Sequence, residues 1–199
     1  GLAGDPRIIA AARDALECAG TGARASALVA GHTSWHERLE QRIAAFEGTE
    51  AALVFPTGYA ANLGAITALV GRGDVVCGDR WNHASLIDGC RLSGARFRVY
   101  PHRNPERLDR ELAKHSAARR RLIVTDGLFS MDGDLAPLEQ LCEIARCRDG
   151  VLLVDDAHAT GVLGRRGRGS AEYLGVEEQV HVRVGTLSKA IGSQGGFVA

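Results

Sequence analysis

The chain has 199 residues, 45% of them hydrophobic, enough for one large domain with a sizeable core. Its 24 basic and 24 acidic residues cancel, so bulk charge gives no reason to expect a nucleic-acid or membrane-surface partner. No signal peptide is expected, no run of about 18 apolar residues occurs, and Cys18, Cys77, Cys90, Cys142 and Cys147 form no disulfide framework or zinc-ligand spacing. The expectation is a soluble, cytoplasmic protein without a metal.

Helical and strand patterns alternate along the chain. Asp5–Ala19 reads as a helix, with Pro6 in its first turn and Gly20 after its end. Ser34–Glu47 reads as a second, with Ser34 and Glu37 in capping-box spacing. Ala51–Phe55 is a short apolar run expected to be a buried strand, and Tyr59–Val70 is helical. Val75–Gly78, Arg96–Tyr100, Arg121–Thr125, Val151–Asp155 and Val182–Gly185 read as strands. Ala84–Leu92, Pro105–His115 and Pro137–Arg146 read as helices between them. The final Gly195–Ala199 stretch again reads as a strand. Strands and helices in this rhythm predict an α/β fold, a mostly parallel sheet with helices on both faces. In such folds ligands gather at the carboxyl ends of the strands.

The strand ends carry the chemistry. Phe55-Pro56-Thr57-Gly58-Tyr59 joins a strand to a helix whose free N–H groups could hold a phosphate, with Gly58 allowing close approach. Trp81-Asn82-His83-Ala84-Ser85 offers His83 as a helix cap, a ring to stack on a planar ligand or a proton carrier. Asp126 to Asp134 is a turn containing Ser130, a candidate hydrogen-bond donor. Val151-Leu152-Leu153-Val154 runs into Asp155-Asp156-Ala157-His158, placing a carboxylate and an imidazole at the sheet edge. The carboxylate there could hold a cation, a metal or a protonated pyridine nitrogen. His32 and His36 lack a third ligand and read as structural. Arg165-Arg166-Gly167-Arg168-Gly169 reads as a solvated or anion-contacting loop.

Lysine usage narrows the choice. Only Lys114 and Lys189 are lysines among the 24 basic residues. Arginine can replace lysine on a solvated surface but cannot form an imine, because guanidinium stays protonated. Lys114 lies in a charged helical stretch. Lys189 lies among small residues in Gly185-Thr186-Leu187-Ser188-Lys189-Ala190, directly after a strand.

In combination, Thr57-Gly58-Tyr59, Asn82-His83-Ala84-Ser85, Ser130-Met131-Asp132-Gly133-Asp134, Asp155-Asp156-Ala157-His158 and Thr186-Leu187-Ser188-Lys189 resemble the α-oxoamine synthases. These are fold-type I enzymes dependent on pyridoxal 5'-phosphate (PLP), and the resemblance covers essentially the whole chain. It implies that residues 1–199 are the PLP-binding large domain, a fragment lacking a carboxyl-terminal small domain. It implies a homodimer that condenses a small amino acid with an acyl-CoA or acyl-carrier-protein thioester, with loss of CO2. The wording is closest to the branch using L-alanine and a pimeloyl thioester in biotin biosynthesis. A glycine-using sibling is the alternative. Lys189 would be the Schiff-base lysine and move the Cα proton. Asp155 would keep the pyridine nitrogen protonated, and His83 would stack on the ring. His158 and Ser130 would meet its phenolic oxygen. Gly58, Tyr59 and Thr186 would serve the phosphate or the lysine's surroundings. Ala27 stands where many relatives have arginine, and Asp126 where they often have glutamate. A non-catalytic partner subunit would lack Lys189, and a nucleotide-binding module would want Gly-x-Gly-x-x-Gly after its first strand. Neither pattern is met.

Overall fold

A computed structural model describes residues 2–199. Helices α1 (Pro6–Ala19) and α2 (Ser34–Glu47) precede strand β1 (Leu53–Phe55). Then follow α3 (Gly58–Leu69), β2 (Val75–Asp79), α4 (Ala84–Leu92), β3 (Arg96–Tyr100), α5 (Pro105–Ala113), β4 (Arg121–Asp126), α6 (Leu138–Cys147) and β5 (Val151–Asp155). A short α7 (Ser170–Tyr173), β6 (Val182–Thr186) and β7 (Gly196–Val198) complete the chain. The seven strands form one sheet in the order β1-β7-β6-β5-β4-β2-β3. All pairings are parallel except those of β7, which runs antiparallel to both β1 and β6.

Strand alternation divides the core in two, since successive side chains point to opposite faces. Val75, Cys77, Ile123, Leu152 and Val154 face α5 and α6, meeting Leu108, Leu112, Leu138 and Leu141. Val76, Leu122, Val124, Leu153 and Val184 face α3 and α4, meeting Ala61, Ile66, Leu86 and Cys90. Both sheet faces are therefore covered, as the near-continuous apolar strands require.

Two local expectations need correction. β1 is an edge strand, paired only with β7, and Leu53 is 60% exposed. The apolar run that suggested a buried strand packs partly against α2 instead. The cap of α2 is Thr33, one residue before the expected start. Its backbone N–H donates to His36 Nδ1 at 3.2 Å, so histidine rather than Glu37 turns back on the helix entrance. The unassigned stretch Ala27–Gly31 forms a π-helical turn.

Candidate active site

Three strands deliver side chains to one place by the same parity. Asp126 follows Val124, Asp155 follows Leu153, and Thr186 follows Val184, each two residues further along. All three therefore project at the carboxyl ends of β4, β5 and β6 on the face covered by α3 and α4. Asp156 has the opposite parity. Its Oδ1 accepts from Ser170 Oγ at 2.5 Å and its Oδ2 from Ser170 N–H at 3.0 Å, so it anchors α7 rather than the pocket. Burial raises its carboxyl to about 6. A Cβ at Gly127 would run into Asp156 Oδ1 and Ser170 Oγ, which is why glycine follows Asp126.

The pocket these ends create has a volume of about 180 Å³ and is lined by Gly58, Tyr59, His83, Asp126, Asp155, His158, Thr186 and Lys189, among others. Asp155 and Lys189, the two groups singled out from sequence, thus share one cleft. Ser130 lines an adjoining cavity of about 340 Å³, which has His83, Asp126 and His158 in common with the first. Its position follows from the turn closed by Phe129 N–H on Asp134 O at 2.9 Å.

Each wall has a local cause. Thr57 caps α3, its Oγ1 accepting from Ala60 N–H at 3.0 Å. The first N–H groups of a helix lack intrahelical partners, and Gly58 and Tyr59, the first two residues of α3, line the pocket. The Tyr59 hydroxyl donates to Asp88 Oδ2 at 2.6 Å, and the side chain is exposed rather than part of the core. His83 caps α4, its Nδ1 accepting from Ser85 N–H at 3.2 Å. The loop before it is clamped to β4: Asn82 Nδ2 donates to Val124 O at 2.9 Å, and Asp126 Oδ2 accepts from His83 N–H at 2.7 Å. Thr186 faces the lysine loop, its hydroxyl donating to Gly195 O at 2.9 Å and lying 2.8 Å from Ser188 Oγ. Those bonds shape the turn that leads into Lys189, and Thr186 also lines the pocket.

The electrostatics set distinct states for the groups around the cleft. Burial and the Asp155 carboxylate beside it raise Asp126 to about 8; the His83 N–H and Lys189 only partly offset this. His158 is held below the usual imidazole range by partial burial and by Lys189. Asp155 is 4% exposed, with Oδ1 accepting from Ala157 N–H at 2.9 Å and Oδ2 from Asn62 Nδ2 at 2.6 Å. Asn62, Ser85 and the part played by Asp126 were missed from sequence. Asn62 sits inside a helix, where no local pattern reveals what it faces.

The family model for aminotransferase class I and II matches residues 1–199. The chain belongs to the aminotransferase class I and II family. Among members of this aminotransferase family, the 8-amino-7-oxononanoate synthase of Geobacter sulfurreducens is 58% identical over all of this chain and 51% of its own length. That of Geobacter metallireducens is 55% identical, with the same coverage. The chain spans about half the length of the curated relatives it matches. Among solved structures, Sphingomonas wittichii serine palmitoyltransferase superposes with a TM-score of 0.97 at 41% identity, over 100% of this chain and 50% of that one. The Francisella tularensis 8-amino-7-oxononanoate synthase gives 0.83 at 29% identity, over 100% and 55%. One similar serine palmitoyltransferase structure carries PLP. These names are those of α-oxoamine synthases, the group that the motifs resemble.

Proposed function

We propose that the protein binds PLP in the cleft between α3 and the ends of β4, β5 and β6, and that the whole protein is an 8-amino-7-oxononanoate synthase. It would condense L-alanine with a pimeloyl thioester. The reading rests chiefly on Asp155 and Lys189 lining one cleft beside the entrance of α3. The residues fit the cofactor. A Cβ at Gly58 would stand 3.4 Å from that of Thr186, so glycine keeps open the space where a phosphate meets the Gly58 and Tyr59 N–H groups. Asp155, already bonded by Asn62 and Ala157, has lone pairs left for a protonated ring nitrogen.

When bound, PLP supplies an electron sink that stabilises negative charge at the amino acid's Cα. Lys189 would be the residue that holds the cofactor by its aldehyde and that carries the proton to and from Cα. Asp155 would hold the ring nitrogen protonated, and the His83 imidazole would stack on the ring. His158 in the pocket wall and Ser130 in the adjoining cavity would serve its phenolic oxygen. The acyl carbon of the thioester is attacked by Cα; CoA departs as the thiol and the carboxylate leaves as CO2.

We assign residues 1–199 to the PLP-binding large domain, with a small domain in the remainder of the protein, and expect a homodimer. We place it in the cytoplasm. Cys77, Cys90 and Cys142 are packed as buried free thiols, which suits a reducing compartment. Among the described residues no helix is long and apolar enough to cross a membrane.

The test uses the full-length protein with PLP. A visible absorbance band should form, bleach with borohydride and leave the cofactor covalently on Lys189. Lys189→Ala should bind PLP without that band; a band that survives the substitution rejects the assignment. Turnover with alanine against glycine and serine, across acyl-thioester lengths, identifies the substrates.

A further inference from the structure

Along the wall of the pocket, a line of side chains joins Asp155 to His83. Asn62, in the second turn of α3 and 1% exposed, donates through Nδ2 to Asp155 Oδ2 at 2.6 Å and to Ser85 Oγ at 2.9 Å. Ser85, equally buried, places its Oγ 2.7 Å from His83 Nδ1, and its backbone N–H donates to the same nitrogen at 3.2 Å.

Donor counting fixes the direction of the protons. A primary amide nitrogen donates twice and accepts nothing. Ser85 Oγ therefore accepts from Asn62, and because the Ser85 backbone N–H can only donate, Nδ1 is an acceptor to which the hydroxyl turns its hydrogen. With two donors aimed at Nδ1, the proton of a neutral imidazole must sit on Nε2. The reverse orientation of the amide would set Oδ1 against the Asp155 carboxylate, oxygen to oxygen. Asn62 Oδ1 is itself buried without a partner. A buried unpaired acceptor is costly, so the amide is held by what its nitrogen does.

We infer that Asn62 and Ser85 are positioning residues for the cofactor pocket: together they lock the Asp155 carboxylate in orientation and His83 in its Nε2–H tautomer. The inference rests on reading the pocket as a PLP site. It links the carboxylate expected at the ring nitrogen to the imidazole expected on the ring face through one amide and one hydroxyl. Neither Asn62 nor Ser85 needs to touch a reacting atom.

The experiment uses full-length protein titrated with PLP and followed by visible absorbance across pH. Asn62→Ala should weaken PLP binding by about tenfold, the loss expected for one hydrogen bond to a charged group. Asn62→Asp, of the same size, should weaken it likewise and carries the test if the alanine variant does not fold. Ser85→Ala should leave affinity within about twofold but move the acid limb of the band's pH profile upwards, because Nδ1 loses the hydroxyl donor that faces it. Ser85→Thr, which keeps the hydroxyl, should restore the profile. If the Asn62 variants and Ser85→Ala all keep the wild-type affinity and profile while Lys189→Ala loses the band, the positioning inference is overturned and the PLP reading stands. Failure of the wild-type protein to bind PLP overturns both.

Discussion

Asp126 and Asp155 are neighbours on adjacent strands, and one of them gives way: Asp126 holds its proton up to about 8. The sign of the consequence is fixed. A carboxyl raised from its unfolded value near 4 stabilises the fold fully below that value, and the contribution disappears as pH rises through about 8. Asp126→Asn keeps an oxygen for the His83 N–H and removes the titration. Thermal melts of full-length apoprotein should therefore show the variant gaining on wild type between about pH 5 and about pH 9. A constant gap would mean that Asp126 is ionised throughout. Asp155, His83, His158 and Lys189 were legible in the sequence because each follows a strand or opens a helix. Asn62 and Ser85 were not, since their partners come from β5 and from across α3 and α4, contacts that appear only once the layers pack.

At the level of elements, apolar periodicity and turn residues located the main helices and strands to within one or two residues. It could not show that the last strand runs backwards between β1 and β6, because direction depends on long-range pairing. That reversal is what brings β7 against the entrance of α3. A Cβ at Gly196 would lie 2.5 Å from both N and Cα of Gly58. Gly196→Ala should push the start of α3 away from the pocket. Denaturant melts should show a loss of about 1–3 kcal/mol, the usual cost of an overpacked site. A parallel PLP titration should show weaker binding, with phosphate the end most affected. The short α7 and the π-helical turn escaped detection because both are too brief to show a period. The capping box slipped by one residue because Thr33 and Ser34 are both good caps.

Across the molecule, Arg183 ties distant parts of the chain together. It leaves β6, is 6% exposed, and donates at 2.6 Å both to Glu47 O at the end of α2 and to Glu177 O. Its guanidinium also lies 3.5 Å from Glu47 Oε2. Burial lifts the Glu47 carboxyl to about 7 despite that neighbour. Arg183→Met should cost about 3 kcal/mol in a denaturant melt of the full-length protein, because buried acceptors lose their donor. Adding Glu47→Gln should recover part of the loss; if it recovers none, the two carbonyl bonds carry the whole effect.

The paired acids at the end of β5 also bear on how the gene tolerates change. Asp155 and Asp156 point to opposite sides of the sheet, one into the cleft and one to Ser170. A shift of this strand by a single residue would exchange them, inverting every side chain along it. The composition at the strand end would look untouched, yet the acid reaching the ligand would be the one shaped to hold a helix. Single-residue insertions or deletions just ahead of Val151 should thus be far less forgiving than substitutions there, even in a surface loop.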